Sequence, residues 1–137
     1  MLSIAVSFLL FSFTADDWKQ IQSTGSVNIK FKQADCNLDN AFKQRWFLLS
    51  FSNSSSSSVK VEWNLQLFDE NKKCVTCADS YGEYQYSLTL LPGETKEGSC
   101  TLKCAPELRV VSKLLDVETS MSYPEFKIVD VKVLPIK

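Results

Sequence analysis

Residues 59–68 read VKVEWNLQLF, and their alternation decides the fold class. Val59, Val61, Trp63, Leu65 and Leu67 fall on one side of an extended chain; Lys60, Glu62, Asn64 and Gln66 fall on the other. Successive side chains of a strand point to opposite faces, so the stretch predicts a strand with one face packed and one in water.

The same period runs outward in both directions. In SVNIKFKQ (26–33), Val27, Ile29 and Phe31 oppose Asn28, Lys30 and Lys32. In RWFLLSFSN (45–53), Phe47, Leu49 and Phe51 alternate with Trp46 and Leu48, so both faces are apolar and the strand should be central. YQYSLTLL (84–91) sets Tyr84, Tyr86, Leu88 and Leu90 on one face, and LRVVSKLL (108–115) and FKIVDVKVL (126–134) complete the set. In the last, the apolar phase moves from even to odd positions between Ile128 and Val129, as a β-bulge would make it do. Beyond the N-terminal leader no stretch carries a helical apolar period.

Turn chemistry separates these runs: DENKK (69–73), LPGET (91–95) and SYPE (122–125). The serine-rich NSSSSS (53–58) reads as a flexible loop, and Asn53-Ser54-Ser55 also matches an N-glycosylation sequon. The expected fold is all-β, an antiparallel β-sandwich of about seven strands in which two half-apolar sheets bury their inner faces.

At 137 residues the chain can bury a substantial core as one domain. Hydrophobic content of 45% and charged content of 23% are ordinary for a globular protein. The formal charge is −1 and the basic residues, such as Lys60 and Lys132, are scattered, so no phosphate-neutralising patch forms and nucleic acid is not expected as a partner. There is no histidine. That rules out Ser-His-Asp and Cys-His catalysis and any His-ligated metal. No enzyme activity and no cofactor are expected.

The first charges are Asp16 and Asp17, after MLSIAVSFLLFSFTA. An apolar run of about a dozen residues ending at a small residue, Ala15, reads as a signal peptide over 1–15, with the sandwich domain over 16–137. The alternative is a buried first strand carrying Ile4, Val6, Phe8 and Leu10. The export reading places the chain outside the cytoplasm, secreted, periplasmic or at a cell surface. It leaves no transmembrane span in the mature chain.

The runs FLLSFSNSSSSSVKVEWNLQLFDENKKC and LLPGETKEGSC resemble small exported bacterial domains of immunoglobulin or fibronectin-III type, the FxLYD-like group. The shared positions are Asn53 at a strand end, Asp69 and Asn71 in a polar turn, and Pro92, Gly93 and Glu94 in the next turn. The resemblance implies an immunoglobulin-like sandwich and a secreted or surface location, and brings no catalytic residues. A true antibody domain fits less well: Cys36 and Trp46 are too close in sequence, and no tyrosine lies two residues before Cys100 or Cys104.

The five cysteines are Cys36, Cys74, Cys77, Cys100 and Cys104. A redox reading of Cys74-Val75-Thr76-Cys77 requires a helix N-terminus to lower the thiol pKa, and none is expected there. Cys74, Cys77, Cys100 and Cys104 approximate a four-thiolate zinc layout, although neither CVTCADS nor CTLKCAP holds the glycine or proline of a zinc knuckle. In an oxidising compartment disulfides are expected instead. If the segments flanking YQYSLTLLPGET run antiparallel, nested bridges Cys74–Cys104 and Cys77–Cys100 keep a near-constant index sum, leaving Cys36 over.

Other candidates have simpler structural readings. Asp35, Asn37 and Asp39 alternate as in a calcium loop, but Asn40 and Trp46 stand where glycine and glutamate are required, so a polar turn is expected. Tyr81, Tyr84 and Tyr86 could form an aromatic platform, yet Tyr84 and Tyr86 share a face with core leucines. Trp63 is expected in the core by the same test, with Trp18 and Trp46 the more exposed tryptophans. Asp69 and Glu70 lie in a turn without a partner carboxylate. The expected role is a binding or structural module for a protein or glycan ligand, with a small zinc protein as the alternative.

Overall fold

The computed structural model describes residues 18–38, 43–78, 82–118 and 121–137. Eight strands follow in order: β1 (Lys19–Thr24), β2 (Val27–Cys36), β3 (Gln44–Asn53), β4 (Val59–Phe68), β5 (Gln85–Leu90), β6 (Thr95–Glu97), β7 (Arg109–Leu114) and β8 (Glu125–Pro135). One 3-10 turn, Pro106–Leu108, precedes β7. All pairings are antiparallel, and the strands form two sheets. The first runs β1-β2-β3, with β6 and β7 taking successive lengths of the far edge of β3; the second runs β5-β4-β8. This is the two-sheet sandwich that the alternation predicts. Its strand order differs from the constant-type antibody domain, where no three consecutive strands are neighbours, whereas here β1, β2 and β3 are.

The predicted inner faces meet in one core. Val27 and Ile29 of β2, Phe47, Leu49 and Phe51 of β3, Val61 and Trp63 of β4 and Leu90 of β5 are buried together. Aromatic rings bridge the sheets: Phe51 of β3 stacks on Trp63 of β4 at 4.5 Å between centroids, and Trp63 stacks in turn on its strand partner Tyr86 of β5 at 5.9 Å. Phe126 of β8 meets Phe31 and Phe47 from the opposite sheet at 5.3 and 4.7 Å.

β3 has partners along both edges and is buried on both faces, as its double apolar pattern predicts. Its outer face does not meet water because a second, smaller cluster covers it: Cys36, Leu38, Trp46 and Leu48, with Trp18 and Ala34 packed alongside. Trp46 is therefore 1% exposed, which corrects its expected exposure; Trp18 is half-buried. The guanidinium of Arg109 lies over the Trp46 ring at 5.0 Å.

Short turns close one end of the sandwich. Leu91-Pro92-Gly93-Glu94 is a type II turn in which Gly93 takes φ +69° and the Glu94 N–H donates to the Leu91 carbonyl at 3.0 Å. Long connections cross the other end. Between β6 and β7 the chain leaves the edge of β3, and Gly98 sits there against Leu108, where a Cβ would fall on the Leu108 carbonyl oxygen.

The signal-peptide reading of 1–15 and its alternative as a first strand fall outside the described residues, as do Asp39, Asn40 and Tyr81. Among the described residues no helix is long and apolar enough to cross a membrane.

Candidate functional site

Both disulfides lie away from the short-turn end, and both differ from the expected pairs. Cys36 bonds Cys100, and Cys74 bonds Cys77, with Cα separations of 5.1 and 5.6 Å. The nested pairs Cys74–Cys104 and Cys77–Cys100 do not form. The expected connectivity treated 74–77 and 100–104 as facing segments of one sheet. In the structure the first returns along β4 and the second hangs beside β3. Nor are Cys74, Cys77, Cys100 and Cys104 brought together as a zinc tetrad: three are in bridges, and Cys104 is a half-buried free thiol. The Ser99 N–H donates to the Cys104 sulfur at 3.4 Å.

Cys36 ends β2 with no exposed surface, and its bridge anchors the excursion between β6 and β7 against the second cluster. The Cys74–Cys77 bridge does something local. β5 pairs with β4 only from Val59 to Asn64. Beyond that, the chain turns at 69–73 and comes back along β4, with Cys74 bridged to Phe68 and the Val75 N–H donating to the Leu67 carbonyl at 2.9 Å. One step further, a side chain replaces the backbone. The Thr76 hydroxyl accepts from the Leu67 N–H and donates to the Leu65 carbonyl, both at 3.1 Å. Thr76 is 5% exposed, so these two groups would otherwise be buried without partners. The motif that invited redox and metal readings thus closes a loop that plugs a strand edge.

Next to this plug, the outer face of β5-β4-β8 forms a groove of about 350 Å³ lined by Glu62, Asn64, Gln85, Ser87, Asp130 and Lys132, with Trp63 and Tyr86 between them. Its floor is the polar side of the β4 alternation. Its wall comes from the bulge expected in β8: Asn64 pairs with Val129 but Glu62 with Lys132, leaving the extra residue at Asp130–Val131 opposite Trp63. Asp130 takes φ +55°, a conformation aspartate tolerates better than most side chains, and accepts a hydrogen bond from the Asn64 amide at 2.9 Å. Lys60 and Glu62 form an ion pair at 3.1 Å along the rim. A smaller hollow of about 170 Å³ continues from Asn64, Gln85 and Asp130 to Thr76, Cys77 and Tyr84. The groove offers paired donors and acceptors on strands. That arrangement suits recognition by hydrogen bonds. Of its residues only Tyr86 stands among the sequence candidates, as part of an aromatic platform, although the polar face of 59–68 and the phase shift at Val129 are both readable in the sequence.

Other sequence candidates have structural roles. Tyr84 and Tyr86 pack partly buried against the core, and burial, then the neighbouring Tyr84, Glu107 and Glu83, pushes the Tyr86 hydroxyl up from its ordinary pKa. Asp35 lies in β2 and holds Arg45 across the strand pair at 2.8 Å; that hydrogen bond keeps its carboxyl below the usual range. Its oxygens are therefore engaged by a guanidinium. Asp69 caps its turn by accepting from the Asn71 and Lys73 N–H groups, each at 2.9 Å. Glu70 accepts from the Ser122 hydroxyl at 2.8 Å.

Asn53 is 2% exposed, and its amide nitrogen donates to the Ser57 and Leu91 carbonyls at 2.8 and 3.1 Å. Its oxygen accepts from the Ser26 hydroxyl and the Ser55 N–H, both at 3.0 Å. In the folded chain the sequon nitrogen is thus occupied and covered. One side chain ties together three loops.

No family model matches the chain, that of the FxLYD-like group included, and no curated protein matches it. Among solved structures it is similar to a DUF1425 family member from Shewanella sp. pv-4, at 11% identity over 85% of this chain and 92% of that one, with a TM-score of 0.42.

Proposed function

We propose that the chain is an exported, non-catalytic module that recognises a protein or glycan ligand through the polar groove on β4, β5 and β8, at a cell surface or in a periplasm. The observation that carries this reading is the composition of the groove, in which amides, a hydroxyl and carboxylates stand on paired strands, with Asp130 held in place by Asn64. Such groups recognise a ligand by hydrogen bonds, and a sheet presents them on a rigid backbone, which lowers the ordering cost on binding. Two disulfides support a location outside the cytoplasm, where bridges persist. The leader-like 1–15 supports the same location.

Two measurements test the proposal. Cell fractionation with N-terminal sequencing should recover a chain starting near Asp16; a retained Met1 in a cytoplasmic fraction would remove the compartment. NMR titration with soluble neutral oligosaccharides, and separately with extended hexapeptides, should move the Asn64, Gln85 and Asp130 resonances. Silence at those residues with both probes, or shifts confined to another face, would remove the groove.

A further inference from the structure

We propose that the Cys74–Cys77 disulfide is a thiol-exchange site, opened by a dithiol reductant, and that its opening withdraws the Thr76 plug from the edge of β4. This inference needs no ligand in the groove. It rests on the unequal chemistry of the two bridges.

Exchange requires a sulfur that can be reached and a partner that can leave as thiolate. Cys77 is exposed and Cys74 is half-buried. Lys72 and Lys73 directly precede Cys74, and nearby cations favour a thiolate. In the other bridge Cys100 is exposed, but attack there must expel Cys36, which has no exposed surface and sits among Leu38, Trp46 and Leu48. A thiolate is disfavoured in such surroundings. The exposed bridge is therefore the reactive one.

The step balances as an ordinary two-electron exchange. A thiolate of the dithiol attacks Cys77 Sγ, the Cys74–Cys77 bond breaks, and its electron pair leaves on Cys74 Sγ, which takes up a proton. The second thiolate of the reagent then attacks the mixed disulfide. That closes the reagent's own disulfide and frees Cys77 as a thiol. The reagent is oxidised and the bridge reduced.

The consequence follows from what the bridge encloses. Val75 and Thr76 lie between the two cysteines, and they satisfy the Leu67 carbonyl, the Leu67 N–H and the Leu65 carbonyl. With the bridge open, the segment beyond the Asp69-capped turn is held only by these few hydrogen bonds and one short pairing to Phe68. β4 then gains an open edge from Leu65 to Leu67. Thr76 and Cys77 also line the hollow that extends the groove, so the same event widens it.

The test uses the oxidised full chain with Cys104 first blocked by N-ethylmaleimide. Dithiothreitol is titrated under native conditions, new thiols are trapped with iodoacetamide and mapped by mass, and amide exchange is followed in parallel. Cys74 and Cys77 should be trapped at dithiothreitol concentrations about tenfold below those that trap Cys36 and Cys100. At that point the Leu67 and Val75 amides should lose about tenfold in protection while Ile29 and Phe51 keep theirs. Opening of Cys36–Cys100 first, or of both bridges together, overturns the exchange site. Opening that leaves Leu67 protected overturns the plug. Thr76→Val, with the bridge intact, should raise Leu67 exchange without reductant; unchanged Leu67 protection there also overturns the plug.

Discussion

The two ends of the sandwich are closed by different means. At the Asn53 end the connections 25–26, 54–58 and 91–94 are short, and one buried amide joins all three through hydrogen bonds. At the far end the connections 37–43, 69–84 and 115–124 are long, and the cysteine bridges secure the neighbouring chain. Short turns built from glycine, proline and serine have little freedom to lose, so a single polar node suffices. Longer segments bring more chain entropy and fewer residues with fixed turn geometry. There a covalent link does what turn chemistry does opposite.

Breaking the long-range bridge should have the largest effect. Cys36 and Cys100 are 64 positions apart, and replacing both by serine should cost about 4 kcal/mol in chemical denaturation, from restored loop freedom in the unfolded chain. Next comes the node at the other end. Asn53→Ala leaves the Ser57 and Leu91 carbonyls without their buried donor, with an expected loss of about 2–3 kcal/mol. A loss near zero would mean the short turns close that end without it. Replacing Cys74 and Cys77 by serine should cost about 2 kcal/mol, because the bridge encloses only a short loop. Equal losses for the two bridges would erase the distinction between them.

The smallest effect concerns pH at the rim of the bridged end. The Asp35 carboxyl has a folded pKa below its ordinary 3.8, held down by the hydrogen bond from Arg45. A depressed carboxylate contributes stability that is present above the unfolded pKa and lost as pH falls through the folded one. An NMR carboxyl titration should give a midpoint below 3.8, and Arg45→Gln should return it to the ordinary value. Both groups are exposed, so global stability should hardly respond.

Much of this architecture was legible from alternation. Six of the eight strands among the described residues announce themselves by apolar side chains at alternate positions, on both faces in β3, and the bulge in β8 shows as a change of phase. β1 was missed because Ile21 is the only apolar residue in KQIQST, and β6 because TKE has none. Both are edge strands, held by backbone pairing to a neighbour. The turn residues Asp69, Pro92 and Gly93 do locally what their chemistry implies. Cysteine pairing was not legible, because spacing along the chain does not say which edge a returning segment will follow. Trp46 was misjudged for a related reason: alternation reveals that β3 has two apolar faces, but not that Leu38 and the Cys36 bridge lie over the second. Thr76 gave no signal at all, since a threonine acting as a rung of a β-ladder looks like any other threonine.

The bulge at Asp130 has one more effect, on how these molecules meet each other. Among the described residues β8 is an open edge of its sheet, long enough to template a strand from a second chain. A residue at φ +55° in mid-strand breaks the even run of outward N–H and C=O groups, Lys127 and Lys132 stand exposed on either side, and Pro135 ends the run without a donor. A neighbouring copy could match only a few residues before losing register. The kink that shapes the groove thus also guards the sheet against growing into an aggregate.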